Sequence, residues 1–293
     1  MPNALVTGTS TGIGEACVVR LAERGWRVYA GVRKPEDGDR LRERAAGDVR
    51  PVRLDVTDRE QIADVVAEIQ GEIARDGLQG LVNNAGVGAG GPVEYLDDAD
   101  WRGVFEVNLF GVVAMTSAAM PLLRAGSGRI VHIGSIGGRV ASPGLAPYSA
   151  SKHALEALAE TQRHELARAK TKVRVALVEP GAVATAIWEK ADTTVADLER
   201  RLDGEGRDRY GWLLDQSRGF IDESRERGVP PSKVADAVEH ALTARRPKAR
   251  YLVGPDARLF GHVLRLAPDR VRDVMVGAGA RRWERRGRKT QRR

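Results

Sequence analysis

An α/β fold, built on a doubly wound parallel sheet of about seven strands with helices on both faces, is predicted by three observations. Short β-branched runs alternate with longer stretches of helical period. No internal repeat or low-complexity segment interrupts that alternation before residue 281. Hydrophobic residues make up 42% and charged residues 30% of the 293, as in ordinary globular chains. Strand–helix alternation gives a parallel sheet, because each parallel pair needs a crossover long enough to hold a helix. Right-handed crossovers then place the C-terminal ends of the strands on one edge, where ligands bind.

The elements follow in order. Ala4-Leu5-Val6 reads as the first strand and 12–24 as the first helix. Val28-Tyr29-Ala30 comes next, with a short helix around 39–45. Val52-Arg53-Leu54 leads into a helix over 58–75, and Leu81-Val82 into one over 98–124. Ile130 to Ile133 precedes a helix over 148–168. Val173 to Val178 is the sixth strand and Tyr251-Leu252-Val253 the seventh. The most apolar stretch, Val107 to Leu123, contains Asn108, Thr116, Ser117 and Pro121, so it reads as a buried helix and not a membrane span.

Two segments depart from the alternation. Residues 186–228 carry Ile187, Trp188, Leu198, Leu202, Tyr210, Trp212, Leu213, Leu214, Phe220 and Ile221 among many charges. They read as amphipathic helices inserted after the sixth strand, either a helical lid or a plain surface pair. Residues 255–280 carry Leu259, Phe260, Val263, Leu264 and Leu266, then Pro268, Val271, Val274 and Met275. This is a C-terminal helical extension packed on the body, with a membrane-surface helix as the less favoured alternative. One domain is expected over 1–280.

The charge is unevenly placed. Lys and Arg number 47 and Asp and Glu 40, a formal net charge of +7. Removing the eight basic and one acidic residue of 281–293 leaves 39 of each, so the body is neutral. That argues against a folded nucleic-acid domain, and the terminal block reads as a disordered, solvated tail. A single cysteine, Cys17, excludes an internal disulfide framework and suits a reducing, cytoplasmic setting, with Cys17 itself a core residue. The opening residues MPNALVTG lack a charged region followed by a long apolar one, so no secretory signal is expected. The five histidines (132, 153, 164, 240, 262) form no ligand-spaced cluster, and no metal is expected.

Thr7-Gly8-Thr9-Ser10-Thr11-Gly12-Ile13-Gly14 directly follows the first strand and opens the first helix. Glycine lets the backbone turn sharply and approach a pyrophosphate, and the helix N-terminus offers free N–H groups. This is the Rossmann-type arrangement for a dinucleotide. NAD sites place a carboxylate near the end of the second strand to hold the ribose 2′-hydroxyl. Here Tyr29-Ala30-Gly31-Val32-Arg33-Lys34 has none. Arg33 and Lys34 would attract a 2′-phosphate, with a hydroxyl from Ser10 or Thr11, so NADP(H) is expected over NAD(H), which remains usable.

Tyr148-Ser149-Ala150-Ser151-Lys152 sits at the start of a helix, and residues four apart share one helix face. A nearby ammonium favours the phenolate, so Lys152 is expected to lower the Tyr148 pKa and fit it for acid–base work.

Taken together, these motifs resemble the short-chain dehydrogenase/reductase family in its shorter single-domain subtype. Thr7-Gly8 to Gly12-Ile13-Gly14 resembles its cofactor motif, Leu54-Asp55-Val56-Thr57-Asp58 its adenine segment, and Asn83-Asn84-Ala85-Gly86 its fourth-strand motif. Asn108 and Ser135 resemble its catalytic asparagine and serine, Tyr148 and Lys152 its catalytic pair, and Pro180-Gly181-Ala182-Val183-Ala184-Thr185 its nicotinamide motif. The match runs in the family's order from 1 to about 242.

The resemblance implies an oxidoreductase moving hydride between nicotinamide and a carbonyl carbon. Tyr148 would supply the proton, Ser135 orient the oxygen, Lys152 hold the nicotinamide ribose, and Asn108 hold a relay water. Gly8, Ser10, Thr11, Gly12, Ile13, Gly14, Arg33, Asp55, Val56, Asn84, Ala85, Gly86, Pro180, Gly181, Val183 and Thr185 would line the cofactor. The loop Arg139–Pro147 has no acid, and with Trp188 it favours a hydrophobic alcohol or ketone, steroid-like, retinoid-like or long-chain. The layout is most similar to the 17β-hydroxysteroid and retinol dehydrogenase-like branch. A homodimer or homotetramer is implied too, with the stripe Leu155, Leu158 and Ala159 as an apolar face that equally fits packing within the chain. His132 is set aside as a packed strand residue. The rival readings are a non-catalytic NADP sensor, a weak nucleic-acid or anionic-surface binder acting through the tail, and the family's longer epimerase/dehydratase subtype.

Overall fold

The computed structural model describes residues 1–73 and 76–291, except for the side chains of 190, 262–266 and 291. Seven parallel strands are hydrogen-bonded into one sheet: β1 (Asn3–Val6), β2 (Arg27–Val32), β3 (Val49–Arg53), β4 (Gly80–Asn83), β5 (Arg129–Ile133), β6 (Arg174–Pro180) and β7 (Arg250–Val253). Their spatial order is β3-β2-β1-β4-β5-β6-β7. The order reverses between β1 and β4, which opens a crevice at their C-terminal ends. Val6 pairs with Ala30 on one side and Val82 on the other, so the strands end level there.

Alternation along the strands feeds two cores. Ala4, Val6, Val28 and Val82 pack under α1 (Gly12–Glu23), α2 (Pro35–Arg44) and α9 (Pro231–Thr243), which add Cys17, Val18, Leu21, Leu41, Val234 and Val238. Leu5, Tyr29, Leu81 and Ile130 pack under α3 (Arg59–Ile73), α5 (Val112–Ala125) and α6 (Ala146–Arg168), with Ile62, Val65, Ile69, Met115 and Leu155. Burial pushes the Cys17 thiol up to about 12, the state of an inert core thiol. Helix α9 lies outside the alternation read from the sequence, although Pro231 at its first position and the spacing Val234, Val238, Ala241 signal a buried helix. The short helix expected around 39–45 begins earlier, at Pro35.

The stretch 98–124 is not one regular helix. α4 (Asp98–Phe105) starts from a capping box between Asp97 and Asp100, and a π-helical segment, Glu106–Gly111, separates it from α5. The combined helix is long and apolar enough to cross a membrane by length and composition. Its Val112, Met115, Ala119, Leu122 and Leu123 are nevertheless buried in the second core. The stripe expected to form a subunit interface is also accounted for within the chain: Leu155 and Ala159 are 1% exposed against the sheet.

The insertion folds as α7 (Ile187–Arg201) and α8 (Gly204–Arg227) around its own core of Val195, Leu198, Leu202, Leu213, Leu214 and Ile221. Trp188 turns into this cluster and stacks edge-on with Phe220 at 5.4 Å. The extension forms α10 (Pro255–Leu266) and α11 (Asp269–Gln291). The side chains of Val263, Leu264 and Leu266 lie outside the described residues, whereas Leu259, Phe260, Val271 and Val274 are exposed.

The basic tail corrects the sequence reading. Residues 281–291 are not disordered but complete α11, which lies on α8; 292 and 293 lie outside the described residues. Arg286 pairs with Glu226 at 2.6 Å, Arg288 with Asp215 at 3.1 Å, and Arg282 with Glu223. Trp283 donates to Glu223 at 3.0 Å and stacks on Phe220 at 4.9 Å. The local excess of positive charge is thus met by the acids of α8. The two helices cross where Gly219 and Gly287 meet the backbone of Trp283 and Asp215, leaving no room for a Cβ at either position. Gly287→Val is therefore expected to force the crossing apart and cost about 1–3 kcal/mol. Unchanged thermal unfolding in that variant would show that the contact carries no stability.

Candidate active site

Thr9 donates both its N–H and its hydroxyl to Gly31 O at 3.0 Å, so the glycine loop is tied to the end of β2. The Asn84 side chain donates to Thr7 O at 2.9 Å and Gly8 O at 2.8 Å, and Thr7 Oγ1 accepts the N–H groups of Asn84 and Ala85. Asn84 is thus a brace that stitches β4 to the loop across the crevice. Gly14 packs so close to Gly8 O and Asn84 that a side chain would collapse the cradle. Thr11 sits at the N-cap of α1 without capping it, which leaves the first-turn N–H groups open to an anion. A Cβ on Gly12, at φ +67°, would stand 3.2 Å from Thr185, so these two residues flank the same narrow opening. This cradle fits a dinucleotide pyrophosphate. Ile13 spends its side chain on the first core.

Arg33 and Lys34 are exposed at the end of β2, beside the half-buried Ser10. Asp55 accepts the Thr57 N–H at 2.9 Å and its hydroxyl at 2.7 Å, which shapes the turn after β3. Val56 is buried beside Gly111 of the π segment. The turn after β6 is held at several points. Gly181 N–H donates to Val253 O at 2.9 Å, Ala182 N–H to Asp256 Oδ2 at 2.8 Å, and Ala184 N–H to Val229 O at 3.0 Å. Trp188 Nε1 donates to Val183 O at 2.7 Å. Pro180, Gly181, Val183 and Thr185 therefore form a fixed wall opposite the glycine loop. Asp256 is a brace that the sequence analysis missed, because it lies 74 residues from its partner.

Ser135, Tyr148 and Lys152 converge beyond β5. Ser135 ends the loop after β5 and starts the 3-10 turn Ile136–Gly138, where its Oγ accepts the Gly137 N–H at 3.0 Å. Tyr148 stands on the first turn of α6, behind Pro147, with its ring and Ser135 Oγ both against Gly137. One turn on, Lys152 Nζ lies 5.8 Å from the Tyr148 ring centre and donates to Ile133 O at 2.9 Å. Gly86 lies beside Lys152 and Asn108.

The expected lowering of the Tyr148 pKa is not what this arrangement produces. Burial raises it, and only the Ser135 hydroxyl opposes the rise. Lys152 is itself pushed down to about 8 by burial, and its ammonium is directed to the Ile133 carbonyl. Desolvation of both groups outweighs their attraction.

Asn108 lies in the π segment, which carries its side chain inward. Its Oδ1 accepts Val87 N–H at 2.9 Å, and its Nδ2 donates to Val87 O at 2.9 Å and Ser151 Oγ at 3.0 Å. Ser151 in turn donates to Tyr148 O at 2.8 Å. Asn108 thus clamps the loop after β4 to α6. The sequence offered Ser151 only as a spacer between Tyr148 and Lys152.

Two buried polar groups lie beneath. His132 is fully buried; its Nδ1 meets Asn83 Nδ2 at 3.1 Å and its Nε2 meets Gln162 Oε1 at 2.9 Å. Asn83 can only donate there, so His132 is neutral with its proton on Nε2. Burial pulls its pKa down to about 4. Unfolded histidine takes a proton near pH 6.5, whereas the folded one refuses it until about pH 4. Stability should therefore fall by about 3 kcal/mol as pH drops through that window, and His132→Gln should flatten the slope. Acid unfolding with equal slope in both proteins would refute this.

Glu179, at 0% exposure, takes a two-pronged bond from Arg139, with Nη2 to Oε2 at 2.8 Å. Arg250 joins Glu179 to Glu156 of α6 and Glu160. Arg139 also donates to Gly261 O at 3.1 Å. This cluster ties the Ser135 turn, α6 and the end of β6 together. Among the described residues, no group of His, Cys, Asp or Glu is set to hold a metal ion.

A seven-stranded parallel sheet with a glycine cradle at its switch point, and a tyrosine, lysine and serine at its C-terminal edge, defines a nicotinamide-dependent oxidoreductase. The short chain dehydrogenase family model matches residues 2–196. The NADPH-dependent 3-dehydrocapnine reductase of Ornithobacterium rhinotracheale is 36% identical over 278 residues, 93% of this chain and 95% of that protein. Retinol dehydrogenase 5 of Mus musculus is 34% identical, over 92% of this chain and 86% of its own length. The crystal structure of a short chain dehydrogenase from Burkholderia cenocepacia in complex with NADP superposes with a TM-score of 0.68 at 30% identity, covering 92% of this chain and 95% of that one. The chain belongs to the short-chain dehydrogenase/reductase family and is an NAD(P)-dependent oxidoreductase.

Proposed function

We propose that this enzyme prefers NADP(H), accepts NAD(H) less well, and interconverts a hydrophobic ketone and its alcohol with Tyr148 as general acid and base. The convergence of Tyr148 and Ser135 around Gly137, with Lys152 beside the Tyr148 ring, carries this reading. The bound nicotinamide supplies the hydride for the carbonyl carbon, or accepts it in reverse. Tyr148 gives the carbonyl oxygen its proton, and Ser135 holds that oxygen by a hydrogen bond. Lys152, buried beside them, would hold the nicotinamide ribose.

Arg33 and Lys34, with no carboxylate at the end of β2, support the cofactor preference. So do the NADPH named for the 3-dehydrocapnine reductase and the NADP in the Burkholderia structure. The loop Arg139–Pro147, free of acids and covered by the apolar insertion, supports a hydrophobic substrate, as does the likeness to a retinol dehydrogenase. Exposed Phe110 and Val113 on the α4–α5 helix support self-association in place of the buried Leu155 stripe.

Steroid, retinoid and long-chain ketones tested with NADPH, and their alcohols with NADP⁺, should show turnover for one class by nicotinamide absorbance. Tight NADPH binding with no turnover across all three would replace this reading with a non-catalytic sensor.

A further inference from the structure

We propose that Arg40 is a third cation of the 2′-phosphate site, acting with Arg33 and Lys34; this rests on the NADP(H) preference above. The sequence analysis did not single out Arg40, because it lies beyond the end of β2. Helix α2 begins directly after Lys34, which is its N-cap. The glycine loop is bonded through Thr9 to Gly31, so Ser10 lies near the end of β2, where Arg33 and Lys34 would meet a 2′-phosphate. Arg40, on the second turn of α2, reaches back to the glycine loop. Its Nη2 donates to Ser10 O at 2.5 Å, and its Nη1 pairs with Asp37 at 3.0 Å.

The direction of reach is fixed by neighbours. Leu41 is fully buried in the first core, which sets the rotation of α2. Arg44, one turn beyond Arg40 on the same face, pairs with Glu15 of α1 at 2.6 Å. The Arg40–Arg44 row is therefore held toward α1 and the glycine loop. A guanidinium has five N–H donors, and Ser10 and Asp37 occupy only part of that set. Half of the Arg40 side chain is exposed, so its spare donors can meet a ligand without desolvating a buried charge. A 2′-phosphate offers several anionic acceptors to such a fork, whereas a 2′-hydroxyl offers one neutral oxygen. Arg40 thus adds affinity for the phosphate selectively.

Dissociation constants for NADPH, NADH, 2′,5′-ADP and 5′-ADP, measured on the full chain and on Arg40→Gln and Arg40→Lys, test this. Arg40→Gln should weaken NADPH and 2′,5′-ADP about tenfold and change NADH and 5′-ADP less than about twofold. Arg40→Lys should fall between. Equal losses for phosphorylated and unphosphorylated ligands would mean that Arg40 only supports Ser10, and would overturn the proposal. So would no loss for any ligand. Equal affinity of the unaltered chain for NADPH and NADH would instead sink the cofactor preference, while the two ADP arms still read Arg40 directly.

Discussion

Tyr148→Phe is expected to lower turnover about 10²–10⁴-fold, because it removes the hydroxyl proposed to give the carbonyl oxygen its proton. The ring stays in its pocket, so NADPH binding should hold, and a titration of cofactor fluorescence checks this. The same geometry sets a pH dependence. Burial raises the Tyr148 pKa, so the phenol keeps its proton through the neutral range. Ketone reduction needs that proton and should vary little with pH around neutrality. Alcohol oxidation needs the phenolate and should climb as pH rises. Substantial turnover in the phenylalanine variant, with a substrate the unaltered enzyme uses, would remove Tyr148 from the chemistry.

Arg139→Ala is expected to cost about 3–5 kcal/mol of stability, since it strands the Glu179 carboxylate in a fully buried position. Burial and the neighbouring Glu156 push the Glu179 carboxyl up to about 7, against the pull of Arg139. The folded state therefore holds this proton where the unfolded chain, at an ordinary carboxyl pKa near 4.5, has lost it. The contribution of Glu179 to stability declines as pH rises through that window. Without Arg139 the decline should steepen, so the loss in thermal unfolding should be larger at about pH 8 than at about pH 5.5. Glu179→Gln in the same chain should recover most of it, because a neutral amide needs no counter-charge. A variant that unfolds like the parent at both pH values would show that the pair contributes nothing net.

The alternation of β-branched and helical stretches was enough to read the sheet, because each strand and each amphipathic helix carries its own periodicity. The site was legible for a related reason. The glycine loop, Tyr148 with Lys152, and Ser135 are each local patterns, and each needs only its own strand end or helix turn to be recognised. What could not be read were the partners. Nothing near Asn108 in the chain marks Val87 and Ser151, 21 and 43 residues away, as the groups its side chain would join. Leu155 and Ala159 looked like an interface stripe because periodicity gives a helix an apolar face without saying what covers it.

The sequence by itself determined the fold class and the dinucleotide cradle, and singled out Tyr148, Lys152 and Ser135 as candidates, since those follow from neighbours within a few residues. Tertiary structure decided where the charges go. It set the tail's arginines on the acids of α8, Arg40 on the glycine loop and Arg139 on Glu179. It also reversed the expected pKa of Tyr148. The physical reason is common to all four: electrostatic energy depends on distance and on burial, and both are properties of the packed chain that residue spacing alone does not encode.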